Sequence, residues 1–250
     1  MKISKSLRNT FLKLMAVVMV FTAFATIPAT ETNAAANKAL KITASFGGDT
    51  RTETGRNKNT YIVDALYTKK QVKLKTNMTA QATVYIPKSL LSGMNCRFYL
   101  APQVSMYDNM LKYVGTVYDK TSYIMVLNNG YNVKAYSLGS NGKYDLNKAT
   151  SYAKVTTSGK YYKVTLKVPM DKVYYKSGKK SSIKTNKAYN VAVGVEIFGA
   201  ETAGKGTIYV DDLKVNSKPS ISINFSKKDY SPAAFNGATG KVKVSAAKVK

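Results

Sequence analysis

Two adjacent aspartates, Asp211 and Asp212, stand in the middle of an apolar, strand-like run over residues 206–215. An unpaired carboxylate that is withdrawn from water costs on the order of several kcal/mol. Because side chains alternate along a strand, at least one of the two aspartates must face an otherwise apolar layer. A hard cation with oxygen ligands, such as Ca²⁺, would compensate that charge. The alternative is a bulge in which both carboxylates bind backbone groups or lysines.

The composition narrows the remaining chemistry. The 250-residue chain contains no His, no Trp and a single cysteine, Cys96. The absence of His excludes Ser-His-Asp and Cys-His catalysis as usually built, as well as His-ligated metals. One cysteine excludes an intrachain disulfide, and its apolar neighbours indicate a small buried core residue rather than a nucleophile. Binding chemistry, carboxylate chemistry and an oxygen-ligated metal remain.

Residues 1–36 have the pattern of a signal peptide. Four basic residues precede an uncharged apolar stretch at 14–27, and small residues follow it up to Ala34-Ala35-Ala36. The apolar stretch is shorter than the roughly 20 residues that span a bilayer, so we expect cleavage after Ala34 or Ala36, with an uncleaved anchor as the alternative. The expected product is a secreted, extracellular or cell-wall-associated monomer with no membrane attachment after cleavage.

Apolar and polar residues alternate with a period of two along most of the remaining chain. The clearest runs cover residues 40–46, 72–75, 80–86, 96–101, 162–168 and 191–198. Such runs, separated by Gly, Pro and Asn turn signals, predict an all-β, two-sheet antiparallel sandwich, with a closed barrel as the lesser alternative. We also expect a helical turn at 87–91 and a long loop or broken hairpin at 106–119.

The pattern changes near residue 217. Residues 37–217 are expected to form one domain, and residues 218–250, rich in Lys, Ser and Ala, a basic and partly disordered tail or the start of a further module. One more strand is expected at 221–225.

Four segments give the chain a family resemblance. Residues 193–199 and 207–215 resemble the last two strands of galactose-binding-like jelly-roll carbohydrate-binding modules, and residues 38–43 and 159–166 resemble earlier strands. Such modules accompany bacterial mannanases, xylanases and glucanases. The resemblance extends over roughly 37–216 and implies a jelly roll in which Asp211, together with Asp212, binds a structural calcium. The Phe-Glu pair that the family has near its start is missing, and Asp49 and Glu53 are the nearest acids.

The resemblance also directs attention to one strand face. Sugar binding uses aromatic surfaces flanked by polar groups that bond hydroxyls, and tyrosines would have to replace the absent Trp. The resemblance implies a ligand contact at Glu196, beside which Gly194 leaves space. The full set of expected ligand-binding residues is Tyr99, Arg97, Glu196, Tyr85, Gln103 and Tyr123. The alternative is that these tyrosines only cover a sheet, as their strand propensity favours.

These observations predict a non-catalytic carbohydrate-binding protein whose partner is a polysaccharide or cell-wall glycan. Two alternatives stay open. The net charge of +26 and the pI of 9.9 suit a cell-surface or adhesion protein that binds anionic wall polymers. A small polysaccharide-active enzyme could use Glu196. Nucleic acid is not expected as the primary partner, because the chain carries an export signal and no recognition motif.

Overall fold

The structure is a computed structural model that describes residues 38–46, 60–118, 123–139, 141–177, 179–201, 204–225, 230–236 and 240–249. The predicted signal peptide and the acids Asp49 and Glu53 lie outside these residues. The strands are β1 (Lys38–Ser45), β2 (Tyr61–Tyr67), β3 (Val72–Lys73), β4 (Thr79–Pro87), β5 (Arg97–Tyr107), β6 (Tyr113–Val117), β7 (Ile124–Asn128), β8 (Val133–Ser137), β9 (Ala153–Ser158), β10 (Tyr161–Pro169), β11 (Val173–Lys176), β12 (Lys179–Ser182), β13 (Ala188–Ala200), β14 (Lys205–Val215), β15 (Ile221–Ile223), β16 (Tyr230–Asn236), β17 (Gly240–Lys241) and β18 (Val244–Lys248).

These strands form two antiparallel sheets packed face to face. The first sheet has the order β18-β1-β14-β4-β10-β9, with β15 beside β14. The second has the order β12-β11-β6-β5-β13-β2-β16-β17, with β3 on β13 and the β7-β8 pair on β5. The prediction of an all-β two-sheet sandwich is confirmed, and the architecture is compatible with a jelly roll.

The core lies between the two sheets and follows from the alternation. In β4 the side chains of Ala80, Ala82, Val84 and Ile86 are fully buried, whereas Gln81 and Tyr85 between them are partly exposed. Each large apolar side chain buried in this way stabilises the fold by about 1.5–3 kcal/mol. The core is thus the main source of stability in a chain that has one cysteine.

Cys96 is buried, as predicted, with 6% of its surface exposed. Its thiol donates a hydrogen bond to the backbone oxygen of Glu201 at 2.7 Å. The residue therefore ties the start of β5 to the loop that follows β13.

The described residues after 217 contribute strands to both sheets. The strand predicted at 221–225 is present as β15, and β16 pairs with β2 and β18 pairs with β1. β16 is thus a strand of the second sheet, and its Ala233 and Ala234 are buried. The described strands of this segment satisfy backbone groups on β1 and β2 that an open sheet edge would leave unpaired.

Two local elements can be compared with the sequence. The helical turn predicted at 87–91 is a 3₁₀ helix, Lys88–Leu91, that begins directly after Pro87. The region 106–119 contains a hairpin in which Asp108 closes the turn between β5 and β6 by accepting hydrogen bonds from the N–H groups of Met110 and Lys112. Within the described ranges, no helix is long and apolar enough to cross a membrane.

Candidate functional site

The solvent side of the second sheet brings most of the predicted binding residues together. Pairing of β5 with β13 sets Arg97 opposite Ala200, Tyr99 opposite Phe198 and Gln103 opposite Gly194. Alternation turns these side chains away from the core, where the intervening Leu100 and Ile197 are fully buried. The sequence analysis expected ligand-binding residues on both of these strands, and the register shows that β5 and β13 are direct neighbours.

An aromatic cluster occupies one end of this face. Tyr99 stacks on Phe198 with ring centroids 4.5 Å apart and an interplanar angle of 15°. Tyr144 lies 5.8 Å from Tyr99, and Tyr123 meets Phe198 edge-on at 6.1 Å. Since such pairs add about 0.5–1.5 kcal/mol each, the cluster is a stabilised part of the fold. The stacked faces of Tyr99 and Phe198 are closed to a ligand, which would meet the remaining ring surfaces and the hydroxyl groups.

A cavity of about 350 Å³ opens beside the cluster. Its volume is at the lower end of the range of about 300–1,000 Å³ that small-molecule sites occupy. The lining residues are Arg97, Tyr99, Tyr123, Leu138, Tyr144, Phe198 and Ala200. The cavity therefore combines aromatic and aliphatic walls with one cation and three phenol groups.

Only some of the hydrogen-bond donors of the Arg97 guanidinium have partners at this cavity. One terminal nitrogen donates to Oε1 of Glu201 at 2.8 Å. The Nε atom is buried and has no hydrogen-bond partner among the residues that the structure describes. An unpaired buried donor costs about 1–3 kcal/mol. The Arg97 side chain as a whole is 27% exposed, so a ligand in the cavity would meet its terminal N–H groups.

Glu196 connects the cavity with the middle of the face. Its side chain is 5% exposed, and Oε1 accepts a hydrogen bond from the Tyr123 hydroxyl at 3.1 Å. Because Tyr123 lines the cavity, a ligand that contacts its hydroxyl would act on Glu196 as well. Gln103 is also buried on this side of the sheet.

Tyr85 does not join this group. It lies on β4 in the first sheet, opposite Tyr209 of β14, and its ring is 6.4 Å from that of Tyr161. Alternation correctly predicted that Tyr85 points to solvent. It did not specify the sheet, and Tyr85 lies on the opposite sheet from the other expected ligand-binding residues.

Sequence reasoning missed Asp64. This residue lies on β2 opposite Gly194, is 5% exposed, and its Oδ1 has no hydrogen-bond partner within the described chain. Burial raises the pKa of its carboxyl from 3.8 to about 7. A Cβ atom at Gly194 would collide with the Cβ of Asp64, so the glycine is what allows the two strands to pair here. The sequence feature that could have pointed to Asp64 is that it is the single acidic residue in the otherwise apolar run 61–67.

Asp211 and Asp212 form the other predicted site. The pairing of β14 with β4 shifts between Asp211 and Lys214, and Asp212 has φ = 52°. The Asp212 N–H donates to Asp211 Oδ1 at 2.7 Å, and the Asp212 carboxylate lies 3.5 Å from the Lys214 ammonium. This is the bulge that the sequence analysis gave as the alternative to calcium.

The electrostatics of Asp211 reflect its position. Burial raises the pKa of its carboxyl from 3.8 to about 6, while the Asp212 N–H and the ammonium groups of Lys163 and Lys214 oppose that increase. No group of three or more His, Cys, Asp or Glu side chains that could hold a metal occurs in the described part of the chain. Asp49 and Glu53 lie outside that part, so the calcium site stays a prediction.

Comparison of the chain with protein-family models, curated proteins and solved structures gave no match. The structure itself defines the class of fold, an all-β antiparallel sandwich of two sheets. The resemblance to carbohydrate-binding modules therefore belongs to the proposal that follows.

Proposed function

We propose that this protein is a secreted, non-catalytic, carbohydrate-binding-module-like protein that binds a polysaccharide on the solvent side of its second sheet. The observation that carries the proposal is the cavity lined by Arg97, Tyr99, Tyr123, Tyr144 and Phe198. It combines aromatic walls with hydrogen-bonding groups, which is the combination that pyranose rings require.

Each part of the cavity has a role in this proposal. The accessible terminal N–H groups of Arg97, whose side chain is 27% exposed, would donate to a sugar oxygen. The Tyr123 hydroxyl and Glu196, already hydrogen-bonded to each other, would contact sugar hydroxyls at the inner side. Leu138 and Ala200 supply apolar surface for ring carbons. The ligand class that fits is a neutral glycan, recognised through its hydroxyl groups.

A binding role is favoured over hydrolysis because the acids near the cavity have structural partners. Glycosidases use two carboxyl groups about 5–10 Å apart, one of which is a proton donor. Glu201 pairs with Arg97, and Glu196 accepts the Tyr123 hydroxyl. Release of reducing sugar that disappears in Glu196→Gln would overturn this part of the proposal and establish an enzyme.

The proposal also covers the export of the protein, a bound metal ion and the class of its partner. We propose export on the basis of residues 1–36, a structural Ca²⁺ at Asp211 and Asp212, and a glycan rather than nucleic acid as the primary partner. Association with a glycoside hydrolase is proposed on the resemblance alone.

Affinity electrophoresis in mannan, xylan and glucan gels tests the binding function. At least one of these glycans should retard the protein, and Tyr99→Ala should abolish the retardation. Because Tyr99 also packs on Phe198 and Tyr144, Ala200→Phe is the second variant, since it fills the cavity from its wall. Tyr152→Ala, which truncates an exposed tyrosine outside the cavity, is the control. Absence of retardation in all three gels, or full retardation of Ala200→Phe, contradicts the proposal.

A further inference from the structure

The solvent side of the first sheet carries three lysines that lie close together, Lys154 on β9 and Lys163 and Lys167 on β10. The register sets Lys154 opposite Thr165, midway between the two lysines of β10. Four residues along a strand correspond to about 13 Å, and diagonal neighbours on adjacent strands lie roughly 7–8 Å apart. We call this group the lysine triangle. Lys154 and Lys167 are exposed, and Lys163 is partly exposed.

The charge of the triangle is only partly balanced: the Lys163 ammonium lies close enough to Asp211 to act on the pKa of that carboxyl, whereas Lys154 and Lys167 have no carboxylate partner among the described residues. Strands β9 and β10 contain no Asp or Glu. On the described strands of this sheet, the carboxyl groups that face this side are Asp211 and Asp212 of β14, two strands away from β10. That separation is about 10 Å, and Asp212 is already paired with Lys214. Lys154 therefore lies within about one Debye length, roughly 8–10 Å at physiological salt, of both Lys163 and Lys167, and neither β9 nor β10 places a carboxylate between them.

The lysines are not explained by protection of a sheet edge. Edge strands often carry lysine because its charge prevents pairing with another chain. That argument applies to Lys154, since β9 is the last strand of the first sheet. It does not apply to Lys163 and Lys167, because β10 is paired on both sides, with β4 and β9.

The neutral side chains around the triangle indicate the kind of anion. Thr156, Thr165 and Ser158 project from the same side and offer hydroxyl groups. Tyr85 adds an aromatic ring, over which the Lys163 ammonium lies at 5.9 Å from the centroid. Both a charged sugar and a phosphate chain can accept hydrogen bonds from these hydroxyl groups, but only the sugar has a ring that can pack against the tyrosine.

We infer that the lysine triangle is a second binding site, specific for a polyuronate, that is, a linear polysaccharide whose sugar units carry carboxylates. The carboxylates pair with Lys154, Lys163 and Lys167, and the sugar hydroxyls bond the threonines and serine between them. This site is on the face of the sandwich opposite the cavity, so it is independent of the neutral-glycan site proposed above.

Polygalacturonate is the probe, and the test compares two triple variants with the same change of net charge. The first replaces Lys154, Lys163 and Lys167 by Gln. The control replaces Lys179, Lys180 and Lys184, which are exposed and lie on and beside β12 of the second sheet. Dissociation constants are measured by calorimetry at low and at moderate salt. The triangle variant should weaken binding about ten-fold or more at low salt, whereas the control should weaken it less than about two-fold.

Three results would overturn the inference. Equal losses in the two triple variants would mean that the net charge, and not this site, attracts the polymer. Undetectable binding of polygalacturonate to the native protein would remove the site altogether. Polyphosphate that binds as tightly, with the same dependence on the triangle, would show that the sugar ring is not recognised. Ala200→Phe should leave polygalacturonate binding unchanged, so failure of the cavity proposal and failure of this one can be told apart.

Discussion

Replacement of Asp64 by Asn should make the protein more stable at alkaline pH. The Asp64 carboxyl is buried on β2 opposite Gly194 of β13, its Oδ1 has no hydrogen-bond partner among the described residues, and burial raises its pKa from 3.8 to about 7. No cation contributes to that pKa, since desolvation is its sole cause. Asn has nearly the same shape and carries no charge, so the variant removes the titration while keeping the packing against Gly194.

The magnitude follows from linkage between protonation and folding. Below pH 3.8 the carboxyl is protonated in both the folded and the unfolded chain, and it contributes no pH dependence. Between pH 3.8 and 7 the unfolded chain loses this proton while the folded chain keeps it, so the free energy of unfolding falls as the pH rises. Above pH 7 both are ionised, and the accumulated loss is about three pKa units, or about 4 kcal/mol. The unpaired amide of Asn costs about 1–3 kcal/mol at every pH, which leaves a net gain of about 1–3 kcal/mol above pH 7.

Urea unfolding at pH 4, 6 and 8 measures this difference. Subtracting the native protein from Asp64→Asn at each pH removes the contributions of Asp211 and all other groups, and the difference should grow by about 4 kcal/mol from pH 4 to pH 8. Asp145→Asn, which removes an exposed carboxyl, controls for the loss of one negative charge. A difference between native protein and Asp64→Asn that stays constant over this range would refute the argument that burial governs Asp64.

Three further predictions concern Gly194, the proposed calcium site and Arg97. Gly194→Ala should lower the free energy of unfolding by about 1–3 kcal/mol in urea, because the added methyl group collides with Asp64, and an unchanged midpoint would contradict this. If Asp211 and Asp212 bind Ca²⁺, EDTA should lower the Tm and Asp211→Asn should abolish that response, whereas a Tm unmoved by EDTA rejects the calcium site. Arg97→Lys keeps the net charge but loses the guanidinium N–H groups, so retardation by neutral glycans should fall, and native-like retardation would remove Arg97 from the site.

The alternation of apolar and polar residues was enough to predict the class of fold and the direction of most side chains. It works for β4 because mainly one side of that strand is buried in the core, which is the condition that the period of two reports. In β13 both sides are buried, but the side that faces the core is uniformly apolar. The placement of Arg97, Tyr99 and Glu196 on one face followed in the same way. Arg97 and Tyr99 lie on β5 and Glu196 lies on β13, so the face is formed by two adjacent strands. Small residues of one strand lie opposite larger residues of the other, as Ala200 does opposite Arg97.

Sheet membership could not be predicted in this way, and Tyr85 is the example. Its strand pairs with β10 and β14, whereas Tyr99 is on a strand that pairs with β13, and neither pairing is expressed in the local pattern. Tyr144 and Leu138 complete the cavity from the connection between β8 and β9, where no periodicity exists. The residues of the site that come from loops therefore had to be found in the structure.

The two proposed sites differ in the cation that each uses, and the difference has a physical reason. Among the described residues Arg97 is the one arginine, and it stands in the cavity, held by Glu201 and with a buried N–H left over. A guanidinium is planar and rigid, so it fixes the direction of each hydrogen bond, which is what recognition of a neutral sugar demands. The lysine triangle has flexible ammonium groups on an open sheet, which attract charge from many directions but impose little geometry. Recognition of neutral sugars should therefore depend on the geometry of the cavity, whereas binding at the triangle should depend on the carboxylates of the polyuronate and weaken steeply with salt.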